Sequence, residues 1–376
     1  MKIEKVKGFN DFTGEEAKKR TEIKKILVET FEKYGFEPAE TPIIEYEEFV
    51  RGENQNDEAV SDIFKLKDKG KRNLALRYEF TFQLKRISKN KKLPYKRYQI
   101  GEVFRNEPTS SNRFREFTQC DIDIIGSTIK NEAEILALTK EAFDKIGIKF
   151  TIYFGNRNLL NEILDKEKIK NKEEVMREID KLDKLPEKVI KNNLKKYKAE
   201  KILQIIKKPE AYFKKYKSYS EVEELKKLCK IYGVDLTFLP SLVRGLSYYD
   251  GNVFEIKTSK LKETICAGGS YNVNKIQSTG ISFGLNRLSN ISKLKIKTEK
   301  TLIISLNQDK EAINLAQKLR NQGKVISVFY GKPSKALEYA NSYDFEKVIF
   351  IGKEEIKKGK FKVKNMKTGI SNYEKF

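Results

Sequence analysis

The residues Phe117-Thr-Gln-Cys-Asp-Ile-Asp-Ile-Ile125 change character at almost every step. Successive side chains of an extended strand point to opposite faces. Phe117, Gln119, Asp121 and Asp123 therefore share one face, and Thr118, Cys120, Ile122 and Ile124 the other. Upstream, residues 95–105 (Tyr-Lys-Arg-Tyr-Gln-Ile-Gly-Glu-Val-Phe-Arg) read as a second strand, and the polar residues 106–116 separate the two. Two strand runs flanking a polar loop predict an antiparallel pair. Its apolar face meets a core, while the other carries two acids and an amide beside Arg105. Such a face is either the solvated outside of an antiparallel sheet or the floor of a polar site, and the pattern alone leaves both open.

Outward from this hairpin, residues 15–34 place Ile23, Ile26, Leu27, Phe31 and Tyr34 at helical spacing, with Gly35 where a helix cap is expected. Residues 36–44 read as extended chain interrupted by Pro38 and Pro42, which suits a sheet edge. A short strand over 73–76 runs into helical character over 81–87, and a helix over 130–143 and a strand over 149–154 follow the hairpin. Residues 156–232 differ in kind: helical periodicity, no strand signal, and 11 lysines between Lys188 and Lys217 against Glu200 and Glu210. They read as an inserted helical domain with a basic surface, or as ordinary solvated helix faces in a lysine-rich chain. Strand character returns at 253–256 and 264–267, followed by Gly268 and Gly269, and residues 285–291 read as a helix after Gly280-Ile-Ser-Phe-Gly284. From Thr298 onward, strands at 302–306, 325–330 and 347–351 alternate with helices at 309–321 and 334–340. This predicts a separate α/β domain of about 80 residues with a parallel or mixed sheet.

Composition narrows the function. The 376 residues are 39% hydrophobic and 35% charged, enough for two or three packed domains, and the formal net charge of +23 points to an anionic partner such as RNA, DNA or a membrane surface. No apolar run approaches the roughly 20 residues that span a bilayer, and the opening residues lack the apolar stretch of a signal peptide. The expectation is a soluble, cytoplasmic protein. Cys120, Cys229 and Cys266 form no CxxC unit, so neither a disulfide framework nor a thiolate zinc site is supported. The chain contains no histidine, which excludes Ser-His-Asp and Cys-His nucleophiles, HExxH zinc sites and imidazole general bases. It also lacks a GxxxxGK[ST] loop and a GxGxxG turn after a strand, so a nucleotide would have to be held in another way. Arg105, Arg113, Arg115, Arg244 and Arg287 stand in strand-flanked or glycine-containing segments, apart from the lysine-rich helices. A guanidinium offers a planar, permanently charged fork suited to phosphate oxygens, although an arginine taken singly is more often a surface ion pair.

As a set the segments say more. Leu76-Arg-Tyr-Glu-Phe-Thr81, Phe104-Arg-Asn-Glu107 with Arg113-Phe-Arg-Glu-Phe-Thr-Gln119, Leu242-Val-Arg-Gly-Leu-Ser-Tyr-Tyr249 with Val253-Phe-Glu255, Cys266-Ala-Gly-Gly-Ser-Tyr271 and Gly280-Ile-Ser-Phe-Gly-Leu-Asn-Arg-Leu288 occur in that order. The series resembles the motifs of class II aminoacyl-tRNA synthetases, and among them most closely histidyl-tRNA synthetases of a compact, archaeal-like form. The resemblance implies an α+β fold: an antiparallel-sheet catalytic core in two parts (1–155 and 233–296), a helical insertion (156–232) and a C-terminal α/β anticodon-binding domain (297–376). It implies histidine, ATP with Mg2+, and tRNA(His) as ligands, and a homodimer. By similarity Arg105 and Arg244 would flank the α-phosphate, Glu107 would take the adenine amino group, and Arg113 the pyrophosphate end. Phe117 and Arg287 would sandwich the adenine ring. Glu79 and Thr81 would take the substrate ammonium, and Gln119, Asp123, Tyr248, Tyr249 and Tyr271 would enclose the imidazole, with Arg244 also at the carboxylate. Ser247, Ser270, Asn272 and Asn286 depart from the commonest pattern, which has charged residues at these places. A non-catalytic, histidine-binding regulatory subunit and a class IIa synthetase of another specificity are the alternatives, and the retained phosphate arginines and the C-terminal domain weigh against the first.

Overall fold

The hairpin expected at residues 95–125 lies inside the largest sheet of the molecule. A computed structural model describes residues 3–52, 62–110, 112–243, 249–296 and 299–376. By its contacts the chain divides into two compact units, Met1–Leu294 and Lys295–Phe376.

The strands of the first unit are β1 (Glu37–Pro38), β2 (Ile44–Tyr46), β3 (Lys65–Lys67), β4 (Asn73–Leu76), β5 (Tyr95–Phe104), β6 (Glu116–Ile125), β7 (Thr151–Asn156), β8 (Leu236–Phe238), β9 (Tyr249–Thr258), β10 (Leu261–Val273) and β11 (Ile276–Gly284). Eight form one sheet in the order β1-β5-β6-β11-β10-β9-β7-β8, and β2-β4-β3 form a small second sheet. The large sheet is antiparallel except at its ends, where β1 runs parallel to β5 and β8 parallel to β7. The proline-broken segment near Pro38 is thus an edge strand, only two residues long, as a residue without a backbone N–H requires.

One face of the sheet is covered by α1 (Gly14–Lys33), with α2 (Glu47–Arg51) and α3 (Leu84–Ile87) intervening, and by α4 (Ile129–Ile146). Ile23, Leu27 and Phe31 of α1 recur at helical spacing and are fully buried. They join Cys120, Ile122 and Ile124 of β6 in one apolar core. Phe283 of β11 anchors it, with its ring 5.6 Å from Phe31 and 5.7 Å from Phe143 of α4. Each such fully buried side chain contributes on the order of 2 kcal/mol to folding. Gly35 after α1 and Gly147 after α4 both have positive φ, which glycine adopts without strain.

The helices that follow, α5 (Arg157–Lys166), α6 (Lys172–Asp180), α7 (Glu187–Lys195), α8 (Ile202–Ile205) and α9 (Tyr219–Ile231), bury Leu159, Val175, Ile190, Ile202 and Val222 in that same core. Their lysines are spread over the outer faces, so the amphipathic pattern alone accounts for where the apolar side chains go. The unit closes with α10 (Leu285–Ile291).

Strand β11 escapes the sequence reading, in which Gly280-Ile-Ser-Phe-Gly284 only leads into the helix at 285–291. Its glycine serves packing instead. A Cβ at Gly280 would stand 2.2 Å from Asp123 Oδ1, and one at Gly268 would stand 2.2 Å from the Gly280 carbonyl oxygen. The two residues let β10, β11 and the Asp123 carboxylate approach as closely as they do.

In the second unit β12 (Lys300–Ser305), α11 (Asp309–Asn321), β13 (Val325–Tyr330), α12 (Pro333–Ser342) and β14 (Lys347–Ile351) fall where sequence spacing expects them. The unit continues with α13 (Lys353–Lys358), β15 (Phe361–Asn365) and β16 (Ser371–Glu374). Strands β13, β12 and β14 are parallel, and β15 and β16 add antiparallel to them.

Gly268→Ala and Gly280→Ala should each lower stability by about 1–3 kcal/mol, the usual cost of overpacking. Urea denaturation measures this, and a midpoint shift within error would mean that the strands can part without loss.

Candidate functional site

Antiparallel pairing sets Arg97 opposite Asp123, Gln99 opposite Asp121 and Gly101 opposite Gln119. The polar face of β6 is not the solvated outside of the sheet: Gln119 and Asp121 are each 6% exposed and Asp123 is 4% exposed. Asp123 Oδ2 lies 2.6 Å from Nη2 of the fully buried Arg97, and its Oδ1 accepts a hydrogen bond from the Tyr271 hydroxyl. Burial pushes the Asp123 pKa upward, against the opposing pull of Arg97 and the Tyr271 hydrogen bond. Tyr271 is buried on β10 directly across from Tyr249 of β9, and the two rings meet edge-on at 6.4 Å. Arg97, which sequence reading passed over, could have been found by counting: it is the residue that lands opposite Asp123.

Two arginines of this face also hold the loop after β4. Arg105 Nε donates to the Tyr78 carbonyl at 3.2 Å, and Arg97 Nη2 donates to the Phe80 carbonyl at 3.2 Å. Glu79 sits between these two tethered peptides and Thr81 follows directly, so their backbone is positioned from both sides. The Glu79 charge is also felt by the Tyr249 hydroxyl, whose pKa is raised first by burial and then by Glu79.

Just beyond β5, beside the start of β6, the Arg105 guanidinium lies 4.8 Å from the Tyr78 ring centroid and 5.1 Å from that of Phe117, a cation facing aromatic surfaces. Its Nη2 also donates to Gln119 Oε1 at 3.3 Å. Glu107 and Arg113, expected at opposite ends of a nucleotide, form an ion pair with each other, and Arg113 is largely exposed. Arg287 follows β11 on α10 and donates to the Thr264 carbonyl at 2.6 Å. Because Gly284 pairs with Gln119, Arg287 and Phe117 lie toward the same end of adjacent strands. Arg244, Ser247 and Tyr248 lie outside the described residues.

Of the departures from the common pattern, Asn286, Asn272 and Ser270 have polar partners. The Asn286 side-chain oxygen accepts from Arg20 Nη1 at 3.0 Å, while Arg20 Nη2 bonds Thr118 Oγ1 at 2.9 Å and the guanidinium stands over the Phe12 ring. Asn272 donates to Asp250. Ser270 donates to Glu132 of α4, which also accepts from Asn252 at 2.7 Å. Asn252 in turn accepts from Asn156 at 2.9 Å, and Asn156 donates to Glu221 at 2.7 Å while its own oxygen caps α5 at Leu159. No sequence signal marks this buried chain, whose members come from five separate elements.

Cations on an antiparallel sheet, in place of a glycine loop before a helix, are the means by which class II aminoacyl-tRNA synthetases hold a nucleotide, and the fold described above is of that class. The family model described as histidyl-tRNA synthetase matches residues 8–288, and the one described as anticodon binding domain matches residues 300–374. The histidine–tRNA ligase of Methanocaldococcus jannaschii is 34% identical, with 98% of this chain and 96% of that protein covered. Histidine–tRNA ligase 2 of Shouchella clausii is 32% identical, covering 99% and 98%. Among solved structures, the histidyl-tRNA synthetase of Nostoc sp. PCC 7120 superposes with a TM-score of 0.87 at 23% identity, covering 100% of this chain and 97% of that one. This chain belongs to the histidyl-tRNA synthetase family.

The buried acids give the fold a pH signature. Burial pushes the Asp121 and Glu132 pKa values up to about 7, whereas a carboxyl in an unfolded chain ionises near about 4. Between those limits the folded chain binds more protons than the unfolded one, so this contribution to stability falls as pH rises from 4 to 7 and is then constant. Asp121→Asn removes its share. Denaturation across this range should show the variant losing less stability than the unsubstituted chain as pH rises from 4 to 7. Parallel curves would contradict the assignment.

Proposed function

We propose that this chain activates histidine with ATP to histidyl-adenylate and pyrophosphate and then transfers histidine to tRNA(His). Family membership supports the reaction, and one observation carries the residue assignment: a buried carboxylate, Asp123, fixed by Arg97 and Tyr271 on the same face as Arg105 and Gln119. A carboxylate held in this way accepts a ring N–H, and an apolar side chain of similar size would leave it unpaired, which is a strong basis for rejection.

In the activation step the substrate carboxylate attacks the α-phosphorus and pyrophosphate leaves on the opposite side. Attacker and target are both anionic, so the site must supply positive charge and alignment more than proton transfer. Permanently charged arginines meet that need without histidine. Arg105 takes the α-phosphate, with Arg244 at its other side, and Arg113 turns from Glu107 toward the pyrophosphate end, freeing Glu107 for the adenine amino group. Phe117 and Arg287 take the adenine ring between them. The substrate ammonium meets Glu79 and Thr81, whose backbone Arg97 and Arg105 tether, and the imidazole lies among Gln119, Asp123, Tyr248, Tyr249 and Tyr271. ATP enters as its Mg2+ complex, the metal carried largely by the phosphates. Among the described residues no three metal-ligating groups cluster into a protein cage.

The tRNA completes the reading. The stretch from Lys353 to Lys367 holds seven lysines in the unit matched by the anticodon-binding model, and lysine contacts to backbone phosphates bind tightly at low salt. The basic helices of residues 156–232, read as an insertion, lie near the acceptor stem in this proposal. A homodimer and a cytoplasmic location belong to it too. Ile44 and Tyr46 on the small sheet are about half exposed, apolar surface that a second copy could cover, and no described helix is long and apolar enough to cross a membrane.

ATP–pyrophosphate exchange with each standard amino acid, without tRNA, tests the reading: exchange should require histidine. Asp123→Asn should raise the histidine KM by ~10-fold or more, as loss of a charge-assisted hydrogen bond does, and leave the ATP KM nearly unchanged. Binding of histidine without exchange would sink the catalytic proposal.

A further inference from the structure

Asp121 lies between Gln119 and Asp123 on the polar face of β6 and is as buried as they are. It is faced by Arg97 and Gln99 from β5, by Ser282 from β11, by Gln119 and Asp123 on its own strand, and electrostatically by Tyr249 and Cys266 from β9 and β10. Its two oxygens accept from Gln119 Nε2 at 3.2 and 3.3 Å, and the same nitrogen donates to Ser282 Oγ at 2.7 Å. An amide nitrogen has two hydrogens. Both are engaged, one toward the carboxylate and one toward the hydroxyl. At the other end of the amide, Oε1 accepts from Arg105 at 3.3 Å, and a carbonyl oxygen retains a second lone pair.

We propose that Asp121 is a positioning residue for histidine binding: together with Arg105 it locks the Gln119 amide so that the group left for the substrate is an acceptor. A flipped amide would turn its NH2 toward the Arg105 guanidinium and its oxygen toward the Asp121 carboxylate, donor against donor and acceptor against acceptor. With Gln119 locked, the pocket offers acceptors from Gln119 and Asp123, and its ligand must bring N–H donors, as an ammonium or an imidazole ring does. The inference rests on the reading that this pocket takes histidine. It adds the cause of the pocket's polarity, which lies in a carboxylate that does not itself touch substrate.

Neutralising Asp121 removes its half of the lock. In Asp121→Asn the new side chain can offer either an oxygen or an NH2 to Gln119, so the flipped amide is opposed by Arg105 alone. In histidine-dependent ATP–pyrophosphate exchange at pH 8, the variant's histidine KM should rise ~10-fold, the scale of one hydrogen bond to a charged group, with the ATP KM changed less than ~2-fold. At pH 6 the ratio of variant to unsubstituted KM should shrink, because Asp121 is then itself protonated; ionisation of the substrate ring is common to both proteins and cancels. Ser282→Ala, which removes the other acceptor of the amide nitrogen without changing charge, should raise the histidine KM in the same direction by a smaller factor, and covers the case in which Asp121→Asn fails to fold. A merely structural role would move both KM values together and leave the ratio independent of pH, and that result overturns the inference. Intact exchange by the unsubstituted chain with unchanged histidine KM in both variants overturns it alone. Absence of histidine-dependent exchange in the unsubstituted chain overturns it together with the proposed function.

Discussion

The burial of charge on one face of an antiparallel sheet is the constraint that organises the first unit. Arg97 and Asp123 face each other across β5 and β6 at 2.6 Å, and neither reaches bulk water. Such a pair adds little net stability, because desolvation of both ions offsets most of their attraction, yet the loss of one partner costs about 3–5 kcal/mol by stranding the other. Its value is order. Arg97 also holds the Phe80 carbonyl, so the loop that carries Glu79 is attached to the same guanidinium that fixes Asp123. The groups to which the proposed function gives the two polar ends of histidine, Glu79 and Asp123, are thereby tied to one side chain.

A second consequence concerns proton chemistry. In a chain without histidine, the cations of the site are guanidinium groups that stay charged at any pH where the protein is folded. Acids of the buried face titrate instead, since burial carries Asp121 into the neutral range. The usual assignment of roles is reversed: near neutral pH it is an acid that responds, while the bases stay constant.

Alternation at residues 117–125 made the polar face of β6 legible, and pairing with residues 95–105 would have delivered Arg97 by register alone. Burial of that face was not legible, because an amphipathic strand has the same pattern whether water or a tethered loop covers its polar side. Ser270 and Glu132 are 138 residues apart, and nothing local to either predicts their hydrogen bond. Strand β11 was hidden by its glycines, of which Gly280 is required by the Asp123 carboxylate and the Ile122 carbonyl beside it. In the second unit β15 was hidden by lysines: Val363 is buried between exposed or half-exposed Lys362 and Lys364, too short an alternation to stand out in a lysine-rich stretch.

The buried chain running from Ser270 through Glu132, Asn252 and Asn156 to Glu221 has a bearing on how this protein can change over time. Each member satisfies the next, and a partly satisfied buried network is worse than none. Replacing one link at a time therefore passes through intermediates with orphaned polar groups, so the five positions behave as an interlock that drifts as a block or not at all. A chimera that exchanged residues 156–232 for those of a relative would cut the chain at the link between Asn156 and Asn252, and would have to import matching partners on β9, β10 and α4 to close it again.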